Sequence, residues 1–441
     1  MRAFLSARLG ADFHKLWTAS AVSNVGDGIT MAAGPLLVAS LTGDPAAVAG
    51  AVFAQQLPWV LIALISGVYV DRLDRRRLVI VVNVLRGLAL AVLAAAVAAS
   101  AVSLPLIYVV FFLLGVGETL ADTAFFALLP ATVRPEQLAT ANSRLASTTV
   151  LGNQILAKPL GGWLFAVGAA LPFAADALTF LVAAVLTSAV RTARPKRVPA
   201  SDRVPVVDPV PVSDRVPVSD RAAVVDGIAA PDSDEPATAT ATAPAGVRAE
   251  MIAGIRWLWR HRVLRTLAVV MGVANIAFCA PFAVFALYVQ QRLDLSEVGY
   301  GVLLTAFGIG GLAGSTLSPW LQARFGAPAL LRGGLVVEVV THAVLAATTW
   351  PFAAGAILVV FGLHTVNWGV TVSTLFQRAV PDELRGRVGS VYAFVQVGGA
   401  AVGSLLGGLI AWAVTITTPF WVAAAAMVVV TAVAWRPLRA A

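Results

Sequence analysis

The feature of this 441-residue chain that most limits its fold is a series of twelve long apolar stretches. A helix needs about 20 mostly apolar residues to cross the hydrocarbon layer of a membrane, and each stretch has that length. The chain is therefore predicted to be an all-α integral membrane protein. The predicted spans, numbered helices 1 to 12, are 16–41, 47–70, 78–100, 104–129, 142–167, 170–190, 262–290, 298–322, 329–349, 352–376, 388–412 and 415–435.

The composition supports a chain dissolved largely in lipid. Hydrophobic residues make up 59% of it and charged residues only 12%, whereas soluble domains carry about 45–50% and about 25%. The formal net charge of +8 does not indicate nucleic acid, because the basic residues form short runs between apolar stretches instead of a patch on a soluble domain. We expect those runs to orient the protein in the membrane.

The distribution of lysine and arginine predicts the orientation. With the N-terminus inside, twenty-eight of the 31 fall in inner segments, Arg292 is in an outer loop, and Arg86 and Lys158 lie within helices. Such an asymmetry is typical of the positive-inside rule. We predict a multi-pass protein of the cytoplasmic (inner) membrane with both termini cytoplasmic. The basic segment 1–15 precedes a span too long for a signal peptide, so helix 1 is expected to be retained.

A proline-rich segment divides the chain. Residues 195–248 repeat the letters VPV and SDR and then run into Ala, Thr and Pro. Few large apolar groups are present, so we predict a disordered cytoplasmic linker. It separates an N-terminal six-helix bundle, 1–194, from a C-terminal part, 249–441. The latter starts with an amphipathic segment, 249–264, whose Trp and Arg residues suit the inner membrane surface.

An internal repeat relates the two halves. PEQL at 135–138 recurs as PDEL at 381–384, an offset of 246 residues. The same offset carries Gly161-Gly162 of helix 5 onto Gly407-Gly408 of helix 11. Two matches at one offset predict two pseudo-symmetric six-helix bundles, an arrangement typical of secondary transporters.

The segment after helix 2 carries a recognisable motif. Residues 67–77 read GVYVDRLDRRR, which resembles the GxxxDRxGRR loop of the major facilitator superfamily, with Asp74 in place of the second glycine. The resemblance implies a conformational gating loop, in which Asp71 accepts from a helix N-terminus or an arginine. The alternative is that the arginines only set the topology. The matching residues are Gly67, Asp71, Arg72, Arg75 and Arg76.

The resemblance to this superfamily covers the whole chain outside the linker. The segments LWTASAVSNVGDG at 16–28, PEQLATANS and GIRWLWRHRVL look most like its efflux branch, which exports macrolides, siderophores and other hydrophobic metabolites. The resemblance implies a proton-coupled exporter of a small hydrophobic molecule, an antiporter linked to drug resistance, that works by alternating access. An uptake carrier and a non-transporting scaffold or sensor remain alternatives.

Motifs for enzymatic chemistry are missing from the sequence. There is no HExxH, no GxSxG and no metal-binding Cys/His spacing, and none of the three lysines follows a glycine as a Walker A loop requires. The glycines of GIGGLAG at 308–314 lie inside an apolar helix, where they indicate close packing. We therefore expect no enzyme activity, no cofactor and no metal. The expected partners are a small-molecule substrate, protons and the lipid bilayer, and the expected state is a monomer.

Ionisable residues inside lipid are costly, so each is a functional candidate. In the superfamily, helices 1, 4, 7 and 10 line the central cavity, which implies a substrate and proton pathway along those helices. Carboxylates in such a low-dielectric space can exchange protons near neutral pH. The alternative is that these charges only pair with one another to hold the helices together, above all Arg86, Asp176, Glu338 and His342. Asp176 is expected near the outer surface of the membrane. The pathway candidates are Asn24, Asp27, Glu118, Asp122, Asn275, His364 and Asn367, with Lys158 added below.

Lys158 departs from the pattern of the exporters. They carry a GPxxGG-like stretch in helix 5, whereas this chain reads AKPLGG at 157–162. A lone ammonium at the membrane centre costs about 2.5 to 3.5 kcal/mol on insertion scales. We therefore predict that Lys158 pairs with Glu118 or Asp122 of helix 4 when no substrate is bound.

The linker prediction can be tested by deletion. Removing residues 200–245 should leave membrane insertion and folding largely intact, because a disordered segment contributes no packed core. Expression and gel filtration of the purified protein measure this. Loss of insertion on that deletion would show that the segment is structural.

Overall fold

The computed structural model describes residues 9–190 and 255–440, and all regular structure within these ranges is helical. The predicted all-α class is confirmed. The helices in order are α1 Ala11–Leu41, α2 Pro45–Arg72, α3 Arg75–Ala98, α4 Leu104–Leu128, α5 in three consecutive pieces (Leu138–Thr149, Val150–Ala157 and Lys158–Val167), α6 Leu171–Ser188, α7 Arg262–Ala283 continued by Phe285–Arg292, α8 and α9 within Glu297–Ala347, α10 Pro351–Ala379, α11 Asp382–Ala413 and α12 Thr418–Ala434.

These helices provide twelve crossings within the described residues. Eight helices are long and apolar enough by themselves to span a membrane. One of them, Glu297–Ala347, is 51 residues long and breaks at Gly326, whose φ of 74° lies in the left-handed region that glycine adopts without strain. The part before the break is α8, 297–325, and the part after it is α9, 327–347. The other three crossings are α1, the three-piece α5 and the 17-residue α12.

The helices pack as two groups of six. In the first half α1 packs on α5 and α6, α3 on α4 and α6, and α2 on α4; in the second half α7 packs on α11 and α12, and α8–α9 on α10 and α12. The most extensive contacts between the halves are those of α2 with α11 and of α5 with α8, and α7 also touches α1 and α2. At the first of these, Ser404 Oγ donates to Gln56 Oε1 at 3.2 Å. The predicted linker, 195–248, lies outside the described residues.

The glycine pairs that revealed the repeat occupy equivalent places in the two halves. Gly161 packs against the backbone of Ile29 on α1, and Gly407 packs against the backbone of Ala280 on α7. Their neighbours face the opposite half: Gly162 meets the backbone of Glu297 at the start of α8, and Gly408 meets the start of α2 at Pro45, Ala46 and Ala49. A side chain at these positions would push the helices apart. The predicted pseudo-symmetry is confirmed at atomic detail.

The two ends of the molecule are packed differently. One hydrophobic core, at the end that carries the loops 42–44, 99–103 and 293–296, contains residues of both halves, for example Phe111, Phe173, Tyr288 and Phe420. At the end that carries the two termini, one core contains only first-half residues and another only second-half residues. The halves are thus sealed together at the loop end and packed separately at the terminal end.

The glycine contacts predict an ordering of stabilities. In a helix interior Ala is favoured over Gly by up to about 1 kcal/mol, so Gly333→Ala, where the added methyl has open space, should be neutral or stabilising. Gly407→Ala should lower stability by about 1–3 kcal/mol, because the methyl meets the backbone of α7. Thermal unfolding of the two purified variants in the same detergent compares them. Equal midpoints would contradict this packing.

Candidate functional site

Two cavities of comparable size lie among the helices. The first, called the N-half cavity, has a volume of about 590 Å³ and is lined by α1, α3, α4, α5 and α6. The second, called the central cavity, has a volume of about 500 Å³ and is lined by helices of both halves. Both volumes are in the range of small-molecule sites. Of these two cavities, the central one has walls from both halves.

The N-half cavity is built around a buried ion pair. Arg86 Nη2 lies 2.6 Å from Asp27 Oδ1, and the guanidinium lies 4.0 Å from the centre of the Phe180 ring. The Arg86 residue is only 5% exposed. It also interacts electrostatically with Glu118, Asp122 and Asp176. Among the described residues that line this cavity Arg86 is the one cation, so several carboxylates depend on it.

Asp176 of α6 is fully buried next to this pair. Its carboxylate accepts from Thr30 Oγ1 at 2.5 Å and from Thr179 Oγ1 at 2.9 Å. Its predicted depth, near the outer surface of the membrane, stays a prediction. A carboxylate without solvent needs donors close by, and the small residue Gly26 leaves room for it against α1.

The central cavity has an aromatic wall and a polar cluster. Glu338 of α9 lies 3.4 Å from His364 Nε2 and 3.7 Å from His342 Nδ1. His342 and Phe361 are in edge contact, with ring centroids 5.7 Å apart. The aromatic side chains that line the cavity are Phe278, Phe282, Tyr300, Phe307, Phe361 and Trp368.

Helix α5 forms the wall between the two cavities. Its middle piece, Val150–Ala157, is π-helical. Pro159, which follows, has no N–H to donate to the carbonyl of Ile155, and that carbonyl oxygen lies 3.5 Å from Thr305 Oγ1 of α8. Across this irregular turn the helix presents Asn153 to the N-half cavity and Gln154 to the central cavity. A π-bulge of this kind is frequent at functional sites.

The predicted pairing of Lys158 is wrong. Lys158 lines the central cavity, whereas Glu118 and Asp122 line the N-half cavity on the other side of α5. Its ammonium donates to Gln154 Oε1, one turn earlier on the same helix. The residue is 8% exposed, so the amine does not reach the membrane surface. The prediction failed because the spacing of residues along helices does not show which side of α5 each one faces.

The predicted pathway residues are divided between the two cavities. Asn24, Asp27, Glu118 and Asp122 line the N-half cavity, and the predicted common face of the last two is confirmed. Asn275 and His364 line the central cavity together with Lys158. Asn367 is instead buried against α8, where its Oδ1 accepts from Ser318 Oγ at 3.0 Å. The candidates thus line two cavities, and their role in a substrate or proton pathway stays a prediction.

Several polar residues of the site were missed. Asn83, Asn142 and Asn153 line the N-half cavity, and Gln154 lines the central one. Asn153 Nδ2 donates to the backbone oxygen of Asn24 at 3.1 Å. The available signal was an uncharged amide in an apolar span, since such side chains prefer to bond across helices. The sequence analysis applied that signal only to Asn residues of helices 1, 7 and 10, whereas the missed amides lie on α3 and α5.

The loop after α2 is only partly described. Helix α2 includes the backbone of Gly67, Asp71 and Arg72, but the structure does not describe the side chains of Asp71 and Arg72. Asp74 caps α3, accepting from the backbone N–H of Arg77 at 3.0 Å. Arg75 lies in the first turn of α3. Arg76 Nε donates to Thr187 O at 3.3 Å, and its Nη2 donates to Ser188 O, which ties α3 to the end of α6.

Comparisons with known proteins agree with this architecture. The family model described as "Major Facilitator Superfamily" matches residues 16–404 and 282–441. The chain is 27% identical over 413 residues to the multidrug efflux pump Tap of Mycolicibacterium fortuitum, covering 89% of this chain and 87% of Tap.

Solved structures share the fold at low identity. The nucleoside transporter NupG (D323A mutant) aligns with a TM-score of 0.72 at 10% identity, over 97% of this chain and 99% of that one. A bacterial homologue of the iron transporter ferroportin in its inward-facing state aligns with a TM-score of 0.69 at 17% identity, over 97% of this chain and 98% of that one.

In the part of this chain that the structure describes, no group of three acidic, His or Cys side chains is arranged to hold a metal.

The ion pair predicts how the N-half cavity responds to charge removal. Arg86→Met should cost about 3–5 kcal/mol, because it leaves the half-buried Asp27 and the fully buried Asp176 without a cation nearby. Asp27→Asn should cost clearly less, since Arg86 keeps Glu118, Asp122 and Asp176 as neighbours. Arg77→Met removes an exposed pair with Asp74 and serves as the control, with an effect below about 1 kcal/mol.

Thermal unfolding of these three purified variants measures the differences. If Asp27→Asn is as costly as Arg86→Met, the guanidinium serves Asp27 alone. In that case the other carboxylates of the N-half cavity have a different source of stabilisation.

Proposed function

The chain belongs to the major facilitator superfamily of secondary transporters, and we propose that it exports a small, hydrophobic molecule by alternating access, coupled to protons. Members of this superfamily are transporters and not enzymes. The observation that carries the proposal is the central cavity, where both halves contribute walls of aromatic and other apolar side chains. Such a lining takes up apolar compounds and recognises them by few polar contacts.

The resemblance to an efflux pump supports export. One relative that matches over most of its length is the multidrug efflux pump Tap. Three methionines line the central cavity, Met31, Met271 and Met427, and flexible Met side chains suit ligands of varied shape. Substrate release to the outside requires the closed loop end to open.

The packing of the two ends supports a specific state. The positive-inside asymmetry of the sequence places the terminal end in the cytoplasm. The core that joins both halves then seals the outer side, and the separate cores lie on the inner side. The structure would then be an inward-facing state, ready to take substrate from the cytoplasm or the inner leaflet.

The charges of the N-half cavity support proton coupling. Asp27 is paired with Arg86, while Glu118 and Asp122 line the same cavity with no further cation among the described lining residues. Glu118 is half-buried there, and several carboxylates close to one another favour the binding of a proton. Proton binding there can act on the central cavity through α5, which borders both. In this proposal the loop at 67–77, with Asp71, Arg72, Arg75 and Arg76, locks one conformation.

Accumulation of labelled hydrophobic compounds tests the function. Cells that express the protein should accumulate several-fold less of at least one compound than cells without it, and a protonophore should abolish the difference. Glu118→Gln should abolish it too at unchanged surface expression, because the variant cannot exchange a proton. Glu136→Gln, in the turn before α5, is the matched control and should behave like the wild type.

The outcomes separate the alternatives. Higher accumulation in expressing cells would show an uptake carrier. No change for any compound, with and without the protonophore, would favour a scaffold or sensor. Loss of export in both Glu118→Gln and Glu136→Gln would argue against a specific role for the cavity carboxylate.

A further inference from the structure

A buried lysine without a counter-ion lies at the wall of the central cavity. Lys158 is 8% exposed, and it takes part in no ion pair within 4.0 Å among the side chains that the structure describes. One of its three N–H donors is used by Gln154 Oε1. An unpaired ammonium in a low-dielectric space is costly, so the residue requires a reason to be kept there.

The surroundings of Lys158 place this charge beside an apolar space. The helix around it lies in close contact with α8, where Gly301 packs on the backbone of Lys158 and Pro159. Phe278, Phe307 and Phe361 form the facing wall, with ring centroids 5.6 to 6.0 Å apart. The cavity of about 500 Å³ therefore offers one cationic end and one aromatic face.

From this arrangement we infer that the central cavity binds compounds with an apolar or aromatic body and one acidic group, and that Lys158 binds the acidic group. The inference rests on the proposed function and names its substrate class. The anion supplies the counter-charge that the protein lacks, and a charge-assisted hydrogen bond is stronger than a neutral one. The body of the compound covers the aromatic wall.

The carboxylate of Glu338 does not cancel this preference. It lines the same cavity from the other half, but it lies more than 4.0 Å from the Lys158 ammonium and is closer to the imidazoles of His364 and His342, at 3.4 and 3.7 Å. Among the described residues Lys158 therefore has no carboxylate in contact with it. The cation of the first half is the group left for the ligand.

Three probes of one shape test the inference. These are 1-naphthylacetate, the neutral 1-naphthylacetamide and the cation 1-(1-naphthyl)ethylammonium, titrated calorimetrically at neutral pH into the full-length protein in lipid nanodiscs. The acetate should bind at least about tenfold more tightly than the acetamide, a difference of about 1.4 kcal/mol. The cation should bind most weakly. Equal binding of acetate and acetamide, preference for the cation, or binding of none of the three would overturn the inference.

Variants assign the preference to Lys158. Lys158→Gln should bring the acetate-to-acetamide ratio to about one and leave acetamide binding within about threefold of wild type. Lys158→Arg should keep the preference because it keeps the charge. Lys15→Gln, which removes a partly exposed lysine that pairs with Asp12 near the start of α1 and does not line the cavity, is the matched control. A preference that survives Lys158→Gln overturns the inference, and if that variant fails to fold, the wild-type ratio and Lys158→Arg decide.

Proteoliposome transport separates this inference from the proposed function. Transport of neutral hydrophobic compounds without any preference for the acid would leave the function standing and overturn the substrate class. Lys158-dependent binding of the acid without its transport would uphold the site and contradict the export function.

Discussion

The structure depends on one electrostatic constraint, the cost of placing charge where neither water nor a counter-ion is available. In the first half this cost is met by Arg86, which is close to Asp27 and interacts with three further carboxylates. The pair joins α1 to α3, and Asp176 joins α1 to α6 through Thr30. These polar contacts fix the relative rotation of the helices, because apolar surfaces in lipid gain little by packing on one another. The N-half cavity is the space that remains between the charged groups.

The contact between the halves follows a different rule. At the α5–α8 and α2–α11 crossings, glycines allow backbone to approach backbone, as at Gly162 with Glu297 and Gly408 with Pro45. Few polar bonds cross there, and Ser404 with Gln56 is one of them. Close packing with few directional bonds permits the halves to rock, whereas the charge network inside the first half resists deformation. Alternating access requires two rigid halves whose contact surfaces can shift against each other.

Helix α5 connects these two features. Its π-helical piece and Pro159 place Asn153 on the side of the charged cavity and Gln154 and Lys158 on the side of the central cavity. Helix α5 therefore borders both cavities, and so does α1, whose Pro35 lines the central one.

The sequence by itself determined the helices, their number, the two related halves and the superfamily. Each of these follows from local quantities: the length of an apolar run fixes a crossing, and a repeated glycine pair such as Gly161 and Gly407 marks equivalent positions. It also identified nearly every buried charge, because a charge inside an apolar run is visible without a partner.

Only the tertiary structure decided which charges meet. Lys158 was expected beside Glu118 or Asp122, yet α5 separates it from them. Asp176 and Asn367 likewise found partners on α1 and α8 that no spacing predicts. Pairing depends on the rotation of each helix about its axis, and a π-helical turn shifts that rotation by a fraction of a turn. That rotation results from packing all twelve helices together, so the sequence determined which groups need partners, and the tertiary structure decided which partners they have.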